Sequence, residues 1–212
     1  MRLTAAVFLV VSALVFIRPD PVEAWSSNDR AVAVFGHGGV SNSPHPYSVV
    51  VDSSGNIYTT GRFGSAGSGN ETVDFDPGPG TANLTPNGHY DAFVSKLDSS
   101  GDLVWAKSFG GSGAQSLYSN SVAVDSSGNV YTTGQLWGTA DFDPGPGTTN
   151  LTSVAGTDVF VSKLDSSGDL VWAANFGGDG MSAERGTSVT VDSSGNAYFT
   201  GEFTGPADFD PG

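Results

Sequence analysis

Short apolar stretches alternate with glycine-bounded polar turns along most of the chain. Val122-Ala123-Val124 and Val130-Tyr131-Thr132-Thr133 flank Asp125-Ser126-Ser127-Gly128-Asn129, and Val159–Leu164 and Leu170–Asn175 flank Asp165-Ser166-Ser167-Gly168-Asp169. Runs this short, rich in β-branched and aromatic residues and bounded by turn formers, predict strands joined as hairpins. Aspartate at the first turn position and glycine at the fourth suit a type I turn, with the glycine free to take a positive φ. Successive strand side chains point to opposite faces, so Val159 and Val161 lie on one side of the sheet and Phe160 and Leu164 on the other. A sheet apolar on both faces must be covered on both. No segment beyond the first residues shows helical periodicity.

The pattern repeats. Asp98 and Asp165 are 67 residues apart, as are Asp125 and Asp192, and the Asp-Phe-Asp-Pro-Gly units keep the same interval through Asp76, Asp143 and Asp210. The interval from Asp52 to Asp125 is 73, in part because the loop Arg62–Thr72 is longer than its counterpart Gln135–Thr139. A fixed period that absorbs insertions in loops marks a repeat array. Four-stranded antiparallel sheets stacked face to face around an axis cover both apolar faces, so the expected fold is an all-β β-propeller. Residues 25–47 supply the last strand of a preceding blade, since Ala33–Gly36 aligns with Lys107–Gly110 and Ala174–Gly177. The blade repeats then run over 48–120, 121–186 and, cut short, 187–212. Propellers have about 4–8 blades and residues 25–212 hold roughly 2.8 periods, so the propeller is expected to be incomplete as given. Further blades of the same chain, or other copies, would complete it.

The repeated text Asp-Ser-Ser-Gly-Asn-x-Tyr-x-Thr-Gly, Asp-Phe-Asp-Pro-Gly-Pro-Gly and Val-Ser-Lys-Leu-Asp-Ser-Ser-Gly-Asp-Leu-Val-Trp-Ala resembles the bacterial SBBP family of β-propeller repeats, over essentially all of residues 31–212. The resemblance implies a secreted or cell-surface propeller, often part of a larger multidomain chain. It carries no uniform activity and no catalytic residue. The spacing Leu-Asp-x-x-Gly-x-x-x-Trp is also similar, at fewer positions, to quinoprotein blades.

Composition adds the compartment. Arg2, the apolar stretch Leu3–Ile17 and Val22-Glu23-Ala24 have the order of a secretory signal peptide over residues 1–24. That stretch is shorter than the roughly 20 residues a membrane span needs, so no span is expected after cleavage. The chain has no cysteine and a formal charge of −14. Such acidity argues against nucleic acid as a partner, since phosphate recognition needs a basic footprint. Without disulfides, stability must come from stacked repeats.

The candidate chemistry is sparse. Asp74/Asp76, Asp141/Asp143 and Asp208/Asp210 form Asp-x-Asp pairs whose carboxylates share a face if extended, with Phe75, Phe142 or Phe209 on the other. Each pair could join a Ca²⁺ shell, which wants about 6–8 oxygens, only with backbone carbonyls, Thr, Asn or water added. The alternative makes Asp143-Pro144-Gly145 a turn, with Phe142 its core anchor. Trp105 and Trp172 recur at equivalent strand positions and read as inter-blade core, whereas Trp137 falls in a loop with no aromatic equivalent and is a candidate ligand contact. His37, His45 and His89 share no spacing, and no nucleophile elbow, phosphate loop or dinucleotide fingerprint occurs. The expectation is a noncatalytic secreted or cell-surface module for binding, adhesion or display, calcium-stabilised if the pairs bind, with a protein or carbohydrate ligand. The alternative is part of an extracellular propeller enzyme, a quinoprotein-like oxidoreductase or a polysaccharide-acting hydrolase or lyase.

Overall fold

The hairpin turns form as the sequence dictates. In all five Asp-Ser-Ser-Gly units the fourth-position amide donates to the aspartate carbonyl, at 2.9–3.0 Å, and the glycine takes a φ between 80° and 89°. The computed structural model describes residues 44–65, 72–178 and 182–204. The signal segment 1–24, the expected strand around Phe35, and Asp208 and Asp210 all lie outside the described residues.

Thirteen strands are described. The first meander consists of β1 (His45–Val51), β2 (Ile57–Gly64), β5 (Gly88–Leu97) and β6 (Leu103–Phe109), each antiparallel to the next. Between β2 and β5 the chain makes a small hairpin, β3 (Val73–Asp74) with β4 (Asn83–Leu84). The second meander repeats the order with β7 (Gly113–Val124), β8 (Val130–Asp141), β9 (Asn150–Leu164) and β10 (Leu170–Phe176). Here the small hairpin is fused into the long ends of β8 and β9, where Thr139 faces Thr152 and Asp141 faces Asn150. A two-residue strand, β11 (Ser182–Ala183), runs parallel to β9, and β12 (Arg185–Val191) with β13 (Ala197–Glu202) opens a third meander. This is the all-β propeller architecture expected from the sequence.

The inner hairpin of each blade carries a bulge, at Pro46/Ser48, Ser119/Ser121 and Gly186/Ser188. Opposite the first two bulges, the buried Gly61 and Gly134 let the strands close up: a Cβ at Gly134 would run into the Tyr118 carbonyl. The bulge frees Ser48 and Ser121 to reach the next blade. Val122 N–H donates to Ser48 Oγ (3.3 Å) and Val189 N–H to Ser121 Oγ (3.1 Å).

The core lies between blades. Tyr58, Ala92 and Val94 of the first blade pack with Val122, Val130, Phe142, Phe160 and Leu164 of the second. Ala123 and Tyr131 meet Val189, Val191 and Phe199 of the third. Both faces of β9 are buried, since Val159, Phe160, Val161 and Leu164 are all nearly inaccessible. Trp105 acts across the same junction: its ring meets Tyr58 edge-on and its Nε1 donates to the Ser166 carbonyl of the next blade (3.1 Å). Each large side chain fully buried in this way contributes roughly 2–3 kcal/mol.

Candidate functional site

Each meander presents two ends. One carries the Asp-Ser-Ser-Gly turns, and in the first two meanders the other carries the loops with Asp-x-Asp.

At the turn end, Asp125 shows the chemistry of the inner hairpins. Its Oδ1 accepts the amides of Ser127 and Asn129 (both 2.9 Å), and its Oδ2 accepts Asn129 Nδ2 (2.7 Å) and the Tyr131 hydroxyl (3.2 Å). Asp52 and Asp192 have the same four partners in their own repeats. Burial works to raise the Asp125 carboxyl, but these hydrogen bonds outweigh it and hold the group below the ordinary carboxylate range. In the outer hairpins, Asp98 and Asp165 accept two backbone amides each. A polar cleft of about 200 Å³ separates the turns of the first two blades, lined by Asp52, Tyr58, Lys96, Asp125 and Ser166 among others. Burial, the Asp52 hydrogen bond and the Asp52 and Asp125 charges push the Tyr58 hydroxyl well above its usual range.

At the loop end, Asp141 Oδ1 accepts the amides of Asp143 (3.0 Å) and Thr149 (2.8 Å), and Asp143 Oδ1 accepts Gly145 N–H (2.7 Å). Asp74 and Asp76 repeat this with Asp76, Ala82 and Gly78. Gly80 and Gly147 sit against the Asp76 and Asp143 carboxylates, where a Cβ would collide. The intervening Phe75 and Phe142 are fully buried against Phe63 and Phe93, and against Phe109 and Phe160. The pairs therefore brace their own loops. Among the described residues, no cluster of three or more His, Cys, Asp or Glu is arranged to hold a metal.

Trp137 lies in β8, not in a loop, between Ser116 of β7 and Thr157 of β9. The segment Gln135–Thr139, expected as a loop, is paired strand, and Gly138, with a φ of 84°, marks a register shift within it. Its ring stays half exposed and lines a groove of about 500 Å³ with Ser112, Thr139, Asp141 and Asn150. Trp172 packs edge-on against Tyr131 and remains partly exposed. His45 and His89 fall in β1 and β5.

Two functional-looking residues escape sequence reasoning. Asp91 and Asp158, one repeat apart, are buried carboxylates, each with an Oδ1 that has no hydrogen-bond partner. Each presses on a glycine, Gly110 or Gly177, that has no room for a Cβ. Burial pushes Asp91 up to about 6 against the pull of the Asn87 and Gly88 amides, and raises Asp158 as well. A single acid at the start of an apolar run gave no signal.

Comparison with known proteins agrees with the fold. A family model for the SBBP beta-propeller repeat matches residues 104–142, from β6 through β8. The chain is similar to an uncharacterized WD repeat-containing protein of Acanthamoeba polyphaga mimivirus, with 27% identity over 162 residues, covering 73% of this chain and 11% of that one. It is similar to the regulatory protein FlaEY of Caulobacter vibrioides, with 27% identity over 152 residues, covering 72% of this chain and 15% of that one. The chain thus spans only a small part of the length of these relatives.

Proposed function

Taking as premise a chain built of SBBP-type β-propeller repeats, we propose that it is a noncatalytic binding and display module, secreted or held at a bacterial cell surface. The observation that carries this reading is where the acids go. Asp52, Asp125 and Asp192 at one end, and Asp74 and Asp141 at the other, recur with the repeat and bind their own turns and loops. General acid–base work needs a positioned group within reach of substrate, whereas these carboxylates are engaged by backbone amides. What varies from blade to blade is the decoration of the loop end, which suits recognition of a protein or carbohydrate on a rigid ring.

Export is tested with the tagged full chain in a bacterial host. A processed product in the medium or on protease-accessible surface supports the reading; an unprocessed cytoplasmic product overturns it. Turnover of a glycoside, of an acidic polysaccharide, or of an alcohol with added quinone cofactor would overturn the noncatalytic part.

Calcium enters the proposal at Asp74/Asp76 and Asp141/Asp143, whose carboxylates are already fixed by amides and need little further ordering. A ligand that binds only the folded state adds about 2.7 kcal/mol at 100 times its dissociation constant. The expected result is a melting midpoint several degrees higher in excess Ca²⁺ than in chelator, abolished by Asp141→Asn with Asp143→Asn. Superimposed melts would assign these aspartates to loop architecture alone.

A further inference from the structure

Arg62 breaks the repeat. It stands opposite His45 across the inner hairpin of the first blade. The same cross-strand pair is Tyr118 and Gln135 in the second blade and Arg185 and Glu202 in the third. In the third blade the cation has its acid, with Arg185 and Glu202 forming an ion pair at 3.4 Å. In the first blade it has none among the described residues. The ion pairs among the described residues are that one and Lys107–Asp169, and Arg62 belongs to neither.

The surroundings of Arg62 are built nonetheless. Its guanidinium carbon lies 4.4 Å from the Tyr90 ring centroid and 4.5 Å from that of Tyr118, and these rings meet edge to face at 5.6 Å. The cation thus sits in an aromatic corner whose walls come from two blades. The corner is as unrepeated as the arginine, because the counterpart of Tyr90 one repeat on is Thr157. Arg62 Nε is buried with no hydrogen-bond acceptor. Stacking on rings offsets part of the desolvation of a cation but supplies no acceptor for its N–H groups. In a chain with 22 acidic and 8 basic residues, leaving an arginine without a carboxylate is not a shortage of acids. The unbalanced charge is felt nearby: burial and then Arg62 hold His45 below its ordinary range, and Arg62 draws down Tyr47 against the stronger effect of burial. Tyr47 and His45 are exposed beside it, and Arg62, Tyr90 and Tyr118 are each half-buried.

We propose that Arg62, held in the Tyr90–Tyr118 corner beside His45 and Tyr47, is the receptor for the carboxylate of a small ligand, which makes to it the ion pair that Glu202 makes to Arg185. A planar guanidinium matches a carboxylate through paired charge-assisted hydrogen bonds. The exposed Tyr47 ring offers an apolar face beside that anchor, so a sugar acid fits the pair of contacts. This names the ligand class for the loop end and rests on the binding reading above.

The test titrates the full chain with glucuronate, and with glucose and inorganic phosphate as separate arms, following tyrosine ring resonances by NMR. Saturable shifts with glucuronate and none with glucose are expected. Arg62→Gln should weaken glucuronate by about tenfold or more, the usual scale for losing a hydrogen-bonded charge. That variant installs the residue the second blade already carries at this position, Gln135, so the fold accepts it. If Arg62→Gln nevertheless melts early, Tyr90→Thr, which copies Thr157, reads the same corner and should weaken binding severalfold. Equal binding by wild type and variants, preference for phosphate over glucuronate, or no glucuronate binding would overturn the assignment. A surface-exported chain that captures a neutral saccharide but not glucuronate would overturn it while leaving the binding reading standing.

Discussion

Asp91 carries the clearest consequence at the scale of one residue. Its carboxyl is buried, with one oxygen unpartnered, and its folded value of about 6 lies above the unfolded reference of 3.8. Below pH 3.8 both states are protonated and no penalty exists. As pH rises to 6 the unfolded chain releases the proton first, so stability falls across that window, by about 3 kcal/mol in total. Asp91→Asn removes the titration but keeps an oxygen for the Asn87 amide (2.9 Å). The difference in unfolding free energy between variant and wild type, from urea melts, should therefore grow in the variant's favour from pH 4 to pH 6.5. Taking the difference matters, because Asp52, Asp74, Asp125 and Asp192 are all held low and lose stability in the opposite direction, as pH falls. A flat difference across that range would mean that Asp91 is solvated in the folded chain. Arg62 and Asp91 were both illegible in the sequence for one reason. Each owes its character to neighbours brought from other strands, and neither sits in a motif.

At the scale of the hairpin, two turns with the same four letters are built to different strengths. Asp125 binds two amides, an amide side chain and a hydroxyl, while Asp165 binds two amides. The difference was written in the sequence as Asn129 and Tyr131 against Asp169 and Val171, and becomes energetic only once the aspartate is seen to gather them. Asp125→Ala should cost about 4 kcal/mol and Asp165→Ala about 2 kcal/mol, four bonds against two at net values near 1 kcal/mol each. Equal losses in thermal or urea melts would show that Asn129 and Tyr131 contribute nothing. The hairpins, their turn type and the buried Phe75 and Phe142 were all legible, because local chemistry and period agree there. The start of β7 was not: the alternating pattern begins only at Val122, yet Ser116–Ser119 already pair with β8. The same holds for Trp137, placed in the loop Gln135–Thr139 where the strands in fact continue and change register.

At the scale of the molecule, stability resides in the junctions between blades. The Ser121 hydroxyl is the acceptor for the buried Val189 amide. Ser121→Ala should orphan that amide, cost about 1–2 kcal/mol, and speed hydrogen exchange at Val189 while leaving the β1–β2 amides protected. Uniform acceleration across all blades would mean that the array unfolds as one unit instead of junction by junction. The same junction reveals what each blade requires of its neighbour. Tyr58 and Tyr131 are sealed, at 0% and 1% exposure, by the blade that follows, and Tyr131 donates to the Gly195 carbonyl there (3.2 Å). Tyr198, their counterpart in the third blade, is 56% exposed, with its own bond to Asp192 intact.

The contact is head to tail: at both junctions a serine of one blade accepts a strand amide of the next, and at the second a tyrosine also donates to a turn carbonyl of the following blade. Copying one such unit in the gene supplies a new module whose mating surfaces already exist, so lengthening the array demands no new invention. Selection is then left to act on the positions the contact does not use. Arg62, Gln135 and Glu202 are three versions of one position outside the serine–amide contact, on a scaffold that carries all three.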